Sequence, residues 1–231
     1  KMKYLLTGGG TGGHVYPALA IADEIRQQHA DAEFLYVGRK DKLESWVVPD
    51  HEYPIRFVRS RPFPRSSSPS ALMWFMLTLC VGIMQGAWIL LRYRPQVIIG
   101  TGGYVSAPIL FAYGILAKIG LSRARVFLYE PNAHPGLLNQ VVGRLAQRIG
   151  VAFEQAGRWF DMKRVAVVGY PVRRSFLALN SLVAREKLCI EAEHKVILAF
   201  GGSGGARVIN EAVIEALPAW RDAGGLTVLH V

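Results

Sequence analysis

The fold of this 231-residue chain is decided by residues 4–17, YLLTGGGTGGHVYP. The apolar run at residues 4–7 predicts a strand, and the glycines after it lead into a helix predicted for residues 16–29. A strand, a glycine-rich turn and a helix are typical of the first part of a Rossmann-like unit, in which backbone N–H groups point at a ligand. This stretch therefore predicts both an α/β fold and a binding loop.

Short apolar runs alternate with longer amphipathic runs along the chain. Strands are predicted at residues 34–38, 55–58, 97–100, 126–129 and 165–168, and helices at residues 106–119, with Ser106 as the cap, and 135–146. Strands that alternate with helices form βαβ units, whose parallel sheet is covered on both faces. We therefore predict a Rossmann-like parallel sheet and a first domain over residues 1–168.

A second α/β unit is predicted to begin at residue 195. Residues 169–194 do not show the alternation of strands and helices, and we interpret them as a linker with one short helix. A strand, a glycine loop at residues 201–205, a helix and a further strand follow. About 35 residues are too few for an independent domain, and the chain starts at Lys1 and stops inside a strand. We expect residues 195–231 to be the first β-α-β of an incomplete domain, and the chain to be a fragment.

Composition favours a well-packed globular protein. Hydrophobic residues make up 51% and charged residues 19%, which excludes a disordered or collagen-like chain. Cys80 and Cys189 lie far apart without a C-x-x-C motif, so neither a disulfide scaffold nor a structural zinc site is expected. The first apolar run is too short for a signal peptide, which makes a cytosolic setting the default.

The net charge of +10 is concentrated in a stretch without acidic residues, between Tyr53 and Tyr129. Its nine cations are Arg56, Arg59, Arg61, Arg65, Arg92, Arg94, Lys118, Arg123 and Arg125. No nucleic-acid motif and no interleaved stacking aromatics accompany them, so no nucleic-acid partner is expected. Two interpretations of this basic stretch remain, a solvated protein face and a surface that binds an anionic membrane. In the second case each cation near the membrane contributes about 1 kcal/mol to binding.

The same stretch contains an apolar segment, residues 71–91, in which only Thr78 and Gln85 are polar. As a helix it would be about 31 Å long, enough to cross a bilayer. A single crossing would separate the glycine loops on its two sides, although these loops are expected to form one site. We predict a helix partly in the core and partly docked at a membrane interface; a fully buried crossover helix and a membrane span are the alternatives.

The first glycine loop, residues 8–14, predicts an anionic or polar ligand. It fits G-x-G-x-x-G, but the second predicted strand ends Gly38-Arg39-Lys40, without the acid that would bind a ribose. An NADP site that uses Arg39 and a tight turn without a ligand are the alternatives. His14 follows the glycines in the first helical turn, where the dipole disfavours imidazolium and leaves the ring able to accept a proton.

Further candidate residues follow other predicted strands. Tyr104 lies in the loop at residues 100–106, and Glu130 and Asn132 lie in the loop at residues 129–136. Glu130 is either a site residue or a cap or loop salt bridge, whereas Asn132 suits sugar hydroxyls. The remaining candidates are Arg173, beside the unit boundary, and Gly202 and Ser203 in the second glycine loop.

Five ordered motifs resemble the MurG family of peptidoglycan glycosyltransferases, glycosyltransferase family 28. They are TGGGTGGHVYPALA (residues 7–20), GGYVS (102–106), EPNAHPGL (130–137), VGYPVR (168–173) and GGSGGAR (201–207). The resemblance implies a GT-B fold of two Rossmann-like domains, the N-terminal one binding acceptor and membrane and the C-terminal one binding donor. It implies inverting transfer of GlcNAc from UDP-GlcNAc to the MurNAc 4-hydroxyl of lipid I, without a metal or cofactor.

The resemblance also implies roles for single residues and a location. His14 matches a proposed general base, and the apolar helix with its arginines matches a patch that docks peripherally on the anionic cytoplasmic face of the inner membrane. The donor-binding positions are Thr11, Gly12, Gly13, Asn132, Arg173 and Ser203. Tyr104, Glu130 and Gly202 are further candidates.

The chain departs from the family pattern at several positions. Pro131 stands where a glutamine is common, Gly204 replaces another common glutamine, and the family's uracil and ribose contacts lie largely beyond Val231. Two alternative functions stay open. One is a GT-B enzyme that glycosylates another lipid, such as diacylglycerol, and the other is a non-catalytic membrane-binding half that recruits a donor-binding partner.

Overall fold

The computed structural model describes residues 1–64, 68–173, 176, 178–202, 205–221 and 223–231. The chain divides into two compact units, Lys1–Arg173 and Arg174–Val231. The first unit contains all of the large sheet, and the second contains a two-stranded parallel sheet. The roles predicted for the domains and for the linker at residues 169–194 stay predictions.

Seven strands of the first unit form one parallel sheet. They are β1 (Lys3–Thr7), β2 (Glu33–Gly38), β3 (Ile55–Phe57), β4 (Val97–Gly100), β5 (Arg125–Glu130), β6 (Arg148–Val151) and β7 (Val165–Val167). Their order is β3-β2-β1-β4-β5-β6-β7, and every pair is parallel. The predicted Rossmann-like α/β fold is therefore confirmed.

Helices cover both faces of this sheet. They are α1 (Gly12–Gln28), α2 (Glu44–Asp50), α3 (Pro69–Tyr93), α4 (Ala107–Lys118), α5 (Leu137–Val142) and α6 (Glu154–Gly157), with short 3-10 turns at Tyr104–Ser106, Gly143–Leu145 and Met162–Arg164. Successive strand residues point to opposite faces, so Leu5 packs with the α3–α4 side and Leu6 with the α1–α2 side. The second unit contains α7 (Ser181–Lys187), β8 (Lys195–Ala199), α8 (Arg207–Arg221) and β9 (Leu226–His230).

Several local predictions were wrong, each for a physical reason. The sequence pattern missed α2, which is only seven residues long, and β6, whose residues RIGV include an arginine and a glycine and so form no apolar run. Helix α1 begins four residues earlier than predicted, since glycine's low helix propensity hides its first turn. Ser106 does not cap α4, because it is already helical at the end of a 3-10 turn and its hydroxyl donates to the carbonyl oxygen of Gly102 (2.9 Å).

Helix α3 lies against α4 along one side only. Gly82 and Gly86 allow close approach, since a Cβ added at Gly86 would lie 3.0 Å from the carbonyl oxygen of Pro108. Its other side exposes Leu72, Met73, Trp74, Met76, Leu77, Met84, Trp88 and Leu91. The helix is long and apolar enough to span a membrane, and 22% of its most apolar window is buried. The alternative of a fully buried crossover helix is therefore wrong.

Candidate active site

Two glycine-rich loops leave neighbouring strands at the point where the strand order reverses. Thr7, the last residue of β1, is in register with Gly100, the last residue of β4. Open parallel sheets bind ligands in the crevice at such a switch point, beyond the carboxyl ends of the strands. The register thus brings the first glycine loop and the loop after β4 side by side.

Reciprocal hydrogen bonds join these loops through His14 and Thr101. The Thr101 hydroxyl donates to the carbonyl oxygen of His14 (2.6 Å), and Nδ1 of His14 lies 2.8 Å from the carbonyl oxygen of Thr101. A carbonyl oxygen only accepts, so Nδ1 carries the proton. In the neutral ring Nε2 then holds the lone pair, which is the state that a general base requires.

Glycines after β4 make room for the imidazole ring. Gly102 and Gly103 have φ angles of +91° and +79°, which favour glycine. A Cβ added at Gly103 would lie 3.1 Å from Cδ2 of His14, and one at Gly102 would lie 3.2 Å from its Cε1. A side chain at either position would displace the ring, so these glycines position His14.

A cavity of about 420 Å³ in the first unit contains four of the predicted site residues. His14, Tyr104, Glu130 and Asn132 all line it. Apolar side chains from α3, α4, α5 and the segment before α3 line its remainder: Phe63, Phe75, Leu79, Phe111, Leu137 and Val141. The cavity therefore combines hydrogen-bonding groups with a long apolar wall that reaches α3.

Glu130 organises its own loop. Its side chain is buried, and it accepts the backbone N–H and side-chain Nδ2–H of Asn132 (both 2.9 Å), the N–H of Gly136 (3.0 Å) and Nδ2–H of Asn139 (2.9 Å). These four bonds use the lone pairs of both carboxylate oxygens. Glu130 thus holds Asn132 and Asn139 in place through neutral N–H donors, which differs from the cap or loop salt bridge considered as the alternative to a site residue.

Two further cavity residues, Asn139 and Ser60, were not predicted from the sequence. Asn139 donates Nδ2–H to Glu130 and to the carbonyl oxygen of Tyr129, which leaves Oδ1 buried without a partner among the described residues. Ser60 Oγ is likewise buried and unpaired, and both residues line the cavity. Buried polar atoms are normally paired, so these two oxygens are exceptions at the cavity wall. The available signal was the polar pair Asn139-Gln140 within the otherwise apolar residues 137–142.

The first glycine loop also has an unpredicted partner, Glu44. Its carboxylate accepts the N–H of Gly10 (3.1 Å) and the N–H of Arg39 (3.0 Å). The Arg39 guanidinium donates hydrogen bonds to Asp41 (Nε–Oδ1 2.7 Å) and to the carbonyl oxygen of Ser60 (2.6 Å). The hydrogen bond from Arg39 lowers the pKa of Asp41. Arg39 is thus engaged within the protein at the position considered for an NADP phosphate.

The remaining predicted residues lie around the start of α1 or in the second unit. Thr11, Gly12 and Gly13 form the start of α1, and Tyr16 packs on Gly12, where an added Cβ would lie 3.1 Å from its ring. The Arg173 guanidinium lies 4.8 Å from the Tyr16 ring centre. Gly202, in the second unit, has a φ of +70°, and Ser203 lies outside the described residues. Over the described part of the chain, no group of three or more His, Cys, Asp or Glu is arranged to hold a metal ion.

Comparisons with known proteins identify relatives of nearly the whole chain. The chain is 39% identical to a protein of Desulforudis audaxviator over 230 residues, 99% of this chain and 60% of that one. It is 37% identical to a protein of Alkaliphilus oremlandii over 221 residues, 94% of this chain and 57% of that one. Both are named UDP-N-acetylglucosamine–N-acetylmuramyl-(pentapeptide) pyrophosphoryl-undecaprenol N-acetylglucosamine transferase. The chain spans about 60% of the length of these relatives.

Solved structures share the fold at low sequence identity. The crystal structure of Acinetobacter baumannii MurG matches all of this chain and 66% of its own, with a TM-score of 0.64 and 20% identity. A putative UDP-N-acetylglucosamine 2-epimerase from Listeria monocytogenes matches all of this chain and 62% of its own, with a TM-score of 0.66 and 10% identity. Residues 4–151 match the glycosyltransferase family 28 N-terminal domain. Because that match covers more than half of the chain, the chain belongs to glycosyltransferase family 28.

Proposed function

We propose that this protein is an inverting glycosyltransferase that moves GlcNAc from UDP-GlcNAc to the MurNAc 4-hydroxyl of undecaprenyl-diphospho-muramoylpentapeptide. The names of its relatives support this donor and this acceptor. The observation that carries the proposal is the cavity lined both by His14, which has its proton on Nδ1, and by Asn132, which Glu130 holds in place. A sugar hydroxyl that lies in this cavity can donate its single proton to Nε2 of His14.

The reaction is a single displacement at the anomeric carbon of GlcNAc. The acceptor oxygen forms the new C–O bond while the bond to the UDP oxygen breaks, and Nε2 of His14 takes the hydroxyl proton. Glu130 fixes the side chains of Asn132 and Asn139, which keeps this part of the cavity in one arrangement. The residues proposed to bind the donor are Thr11, Gly12, Gly13, Asn132, Arg173 and Ser203, and Tyr104 and Gly202 are proposed as further site residues. Arg173 contributes positive charge to the leaving diphosphate.

The apolar part of the cavity fits a lipid-linked acceptor. Phe63 and Phe75 pack edge to face with ring centres 5.3 Å apart, and both line the cavity together with Arg61. An exposed guanidinium beside an aromatic wall suits a diphosphate attached to a hydrocarbon chain. We assign the first part of the acceptor's lipid to this wall.

The exposed side of α3 is proposed to dock on the cytoplasmic face of the inner membrane, as a peripheral contact. Trp74 and Trp88 are more than half exposed, and the Arg56 guanidinium lies 5.5 Å from the Trp88 ring centre. Tryptophan and arginine together suit the interface of an anionic bilayer. Flotation with anionic and with neutral vesicles tests this contact, which we expect to need anionic lipid and to weaken with added salt.

Product analysis with UDP-GlcNAc and a lipid-linked muramoyl pentapeptide tests the activity, with diacylglycerol as the competing acceptor. We expect His14→Ala to lower kcat by about 10²–10⁴-fold with little change in donor affinity, because general-base catalysis contributes about that much. His134→Ala is the matched control, since His134 packs on Trp159 (ring centres 4.6 Å apart) and does not line the cavity. Equal kcat values for the two variants would reject the role of His14, and transfer to diacylglycerol alone would reject the acceptor.

A further inference from the structure

The carboxylate of Glu44 occupies the space beside the first glycine loop. Its side chain is fully buried, at 0% exposure. One carboxylate oxygen accepts the N–H of Gly10 and the other accepts the N–H of Arg39. A backbone amide in a glycine loop is the group that such loops usually present to a phosphate. In this protein a side chain of the protein itself takes that amide.

The buried Glu44 side chain leaves room only for glycine at two neighbouring positions, Gly9 and Gly38. A Cβ added at Gly9 would lie 2.5 Å from Oε1 of Glu44, and a Cβ added at Gly38 would lie 2.5 Å from its Cγ. Both distances are far below van der Waals contact, and the crowding atoms belong to a fully buried side chain. The richness of this loop in glycine is thus explained in part by Glu44, and not only by the approach of a ligand.

We infer that Glu44 is a specificity-determining residue, the internal anion of the first glycine loop, which keeps phosphate and diphosphate groups away from the Gly10 amide. The loop therefore faces an uncharged part of the substrates, such as a sugar hydroxyl or acetamido group. The identity of that part rests on the proposed function, whereas the competition between Glu44 and an external anion does not.

Electrostatics gives the size of the effect. We consider an anion whose unit charge lies about 6 Å from the Glu44 carboxylate, at an effective dielectric constant of ~20. Repulsion would weaken its binding on the order of a hundredfold relative to the same site without this carboxylate. The guanidinium of Arg39, whose backbone N–H binds Glu44, offsets this repulsion little, because it is paired with Asp41. An external anion would also have to displace Glu44 from the Gly10 amide, and a buried carboxylate without its donors is costly.

Chemical rescue of Glu44→Ala tests the inference without any activity. The shortened side chain leaves a space beside the Gly10 amide that formate, a carboxylate without a side chain, can enter. We expect Glu44→Ala to melt below the wild type, and sodium formate to raise its Tm by roughly 5–10 °C near saturation relative to sodium chloride of equal concentration. The Tm of the wild type should respond equally to the two salts.

Asp41→Asn is the matched control, because Asp41 is a nearby carboxylate that bonds the Arg39 side chain and not the loop amide. Its Tm should show no preference for formate. Glu44→Gln provides a second measurement that keeps the shape of the side chain. Titration calorimetry with inorganic diphosphate should show at least tenfold tighter binding to Glu44→Gln than to the wild type.

The outcomes separate this inference from the proposed function. Two results would overturn the role of Glu44. One is a Glu44→Ala variant whose Tm is the same in formate and in chloride, and the other is a Glu44→Gln variant that binds diphosphate no more tightly than the wild type. If Glu44→Ala does not fold, the diphosphate titration of Glu44→Gln decides alone. Neither measurement involves GlcNAc transfer, so a failed transfer assay leaves both results valid.

Discussion

Replacement of Glu130 by glutamine should destabilise the first unit, because this carboxylate is the centre of the loop after β5. Glu130 is 1% exposed, and each of its two oxygens accepts two hydrogen bonds. Glutamine keeps one oxygen and replaces the other by an NH₂ group, which cannot accept. Two donors, from Asn132 or from Gly136 and Asn139, therefore lose their acceptor.

The expected loss is worked out from these two bonds. Hydrogen bonds to charged groups contribute about 1.5–3 kcal/mol each, so two of them correspond to about 3–6 kcal/mol. A neutral amide costs less to bury than a carboxylate, which offsets part of this loss. We therefore expect the free energy of unfolding to fall by about 3 kcal/mol.

Equilibrium unfolding in urea, followed by circular dichroism, measures this change. Glu33→Gln is the matched control, because the Glu33 side chain is 42% exposed and lies 3.8 Å from the Lys3 ammonium. Such surface pairs contribute at most about 1 kcal/mol. If Glu130→Gln and Glu33→Gln unfold at the same urea concentration with the same slope, the four-bond account of Glu130 is refuted.

Two further predictions concern packing and pH. Gly82→Ala should lower the free energy of unfolding by about 1–3 kcal/mol, because the added Cβ would overlap the carbonyl oxygen of Arg59. A variant with the same melting temperature as the wild type would contradict this prediction. Burial raises the pKa of Tyr93 from 10.0 to about 12. The folded state therefore favours the neutral phenol, and the stability that this phenol contributes is complete below pH 10 and is lost as the pH rises from 10 to 12. Urea unfolding across this range should show a smaller decline for Tyr93→Phe than for the wild type, and an equal decline would refute the assignment.

The convergence of the predicted site residues in one cavity follows from local sequence patterns. His14, Tyr104 and Asn132 each follow an apolar run that forms a parallel strand, and Glu130 is the last residue of such a strand. Parallel strands of one sheet end at the same edge, so residues after them must come close together. Strand periodicity and glycine placement are encoded within about ten residues, which is why they can be recognised without a structure.

Long-range contacts decided the rest. Glu44 lies 34 residues from Gly10, and no local pattern announces that one accepts the N–H of the other. The same holds for the unpaired oxygens of Ser60 and Asn139, which depend on what the folded chain places around them. The sequence by itself determined the parallel sheet, the glycine loops and the apolar helix, because these follow from short-range periodicity. Only the tertiary structure decided that an internal carboxylate takes a loop amide, because that pairing depends on how β2 and α2 pack against β1.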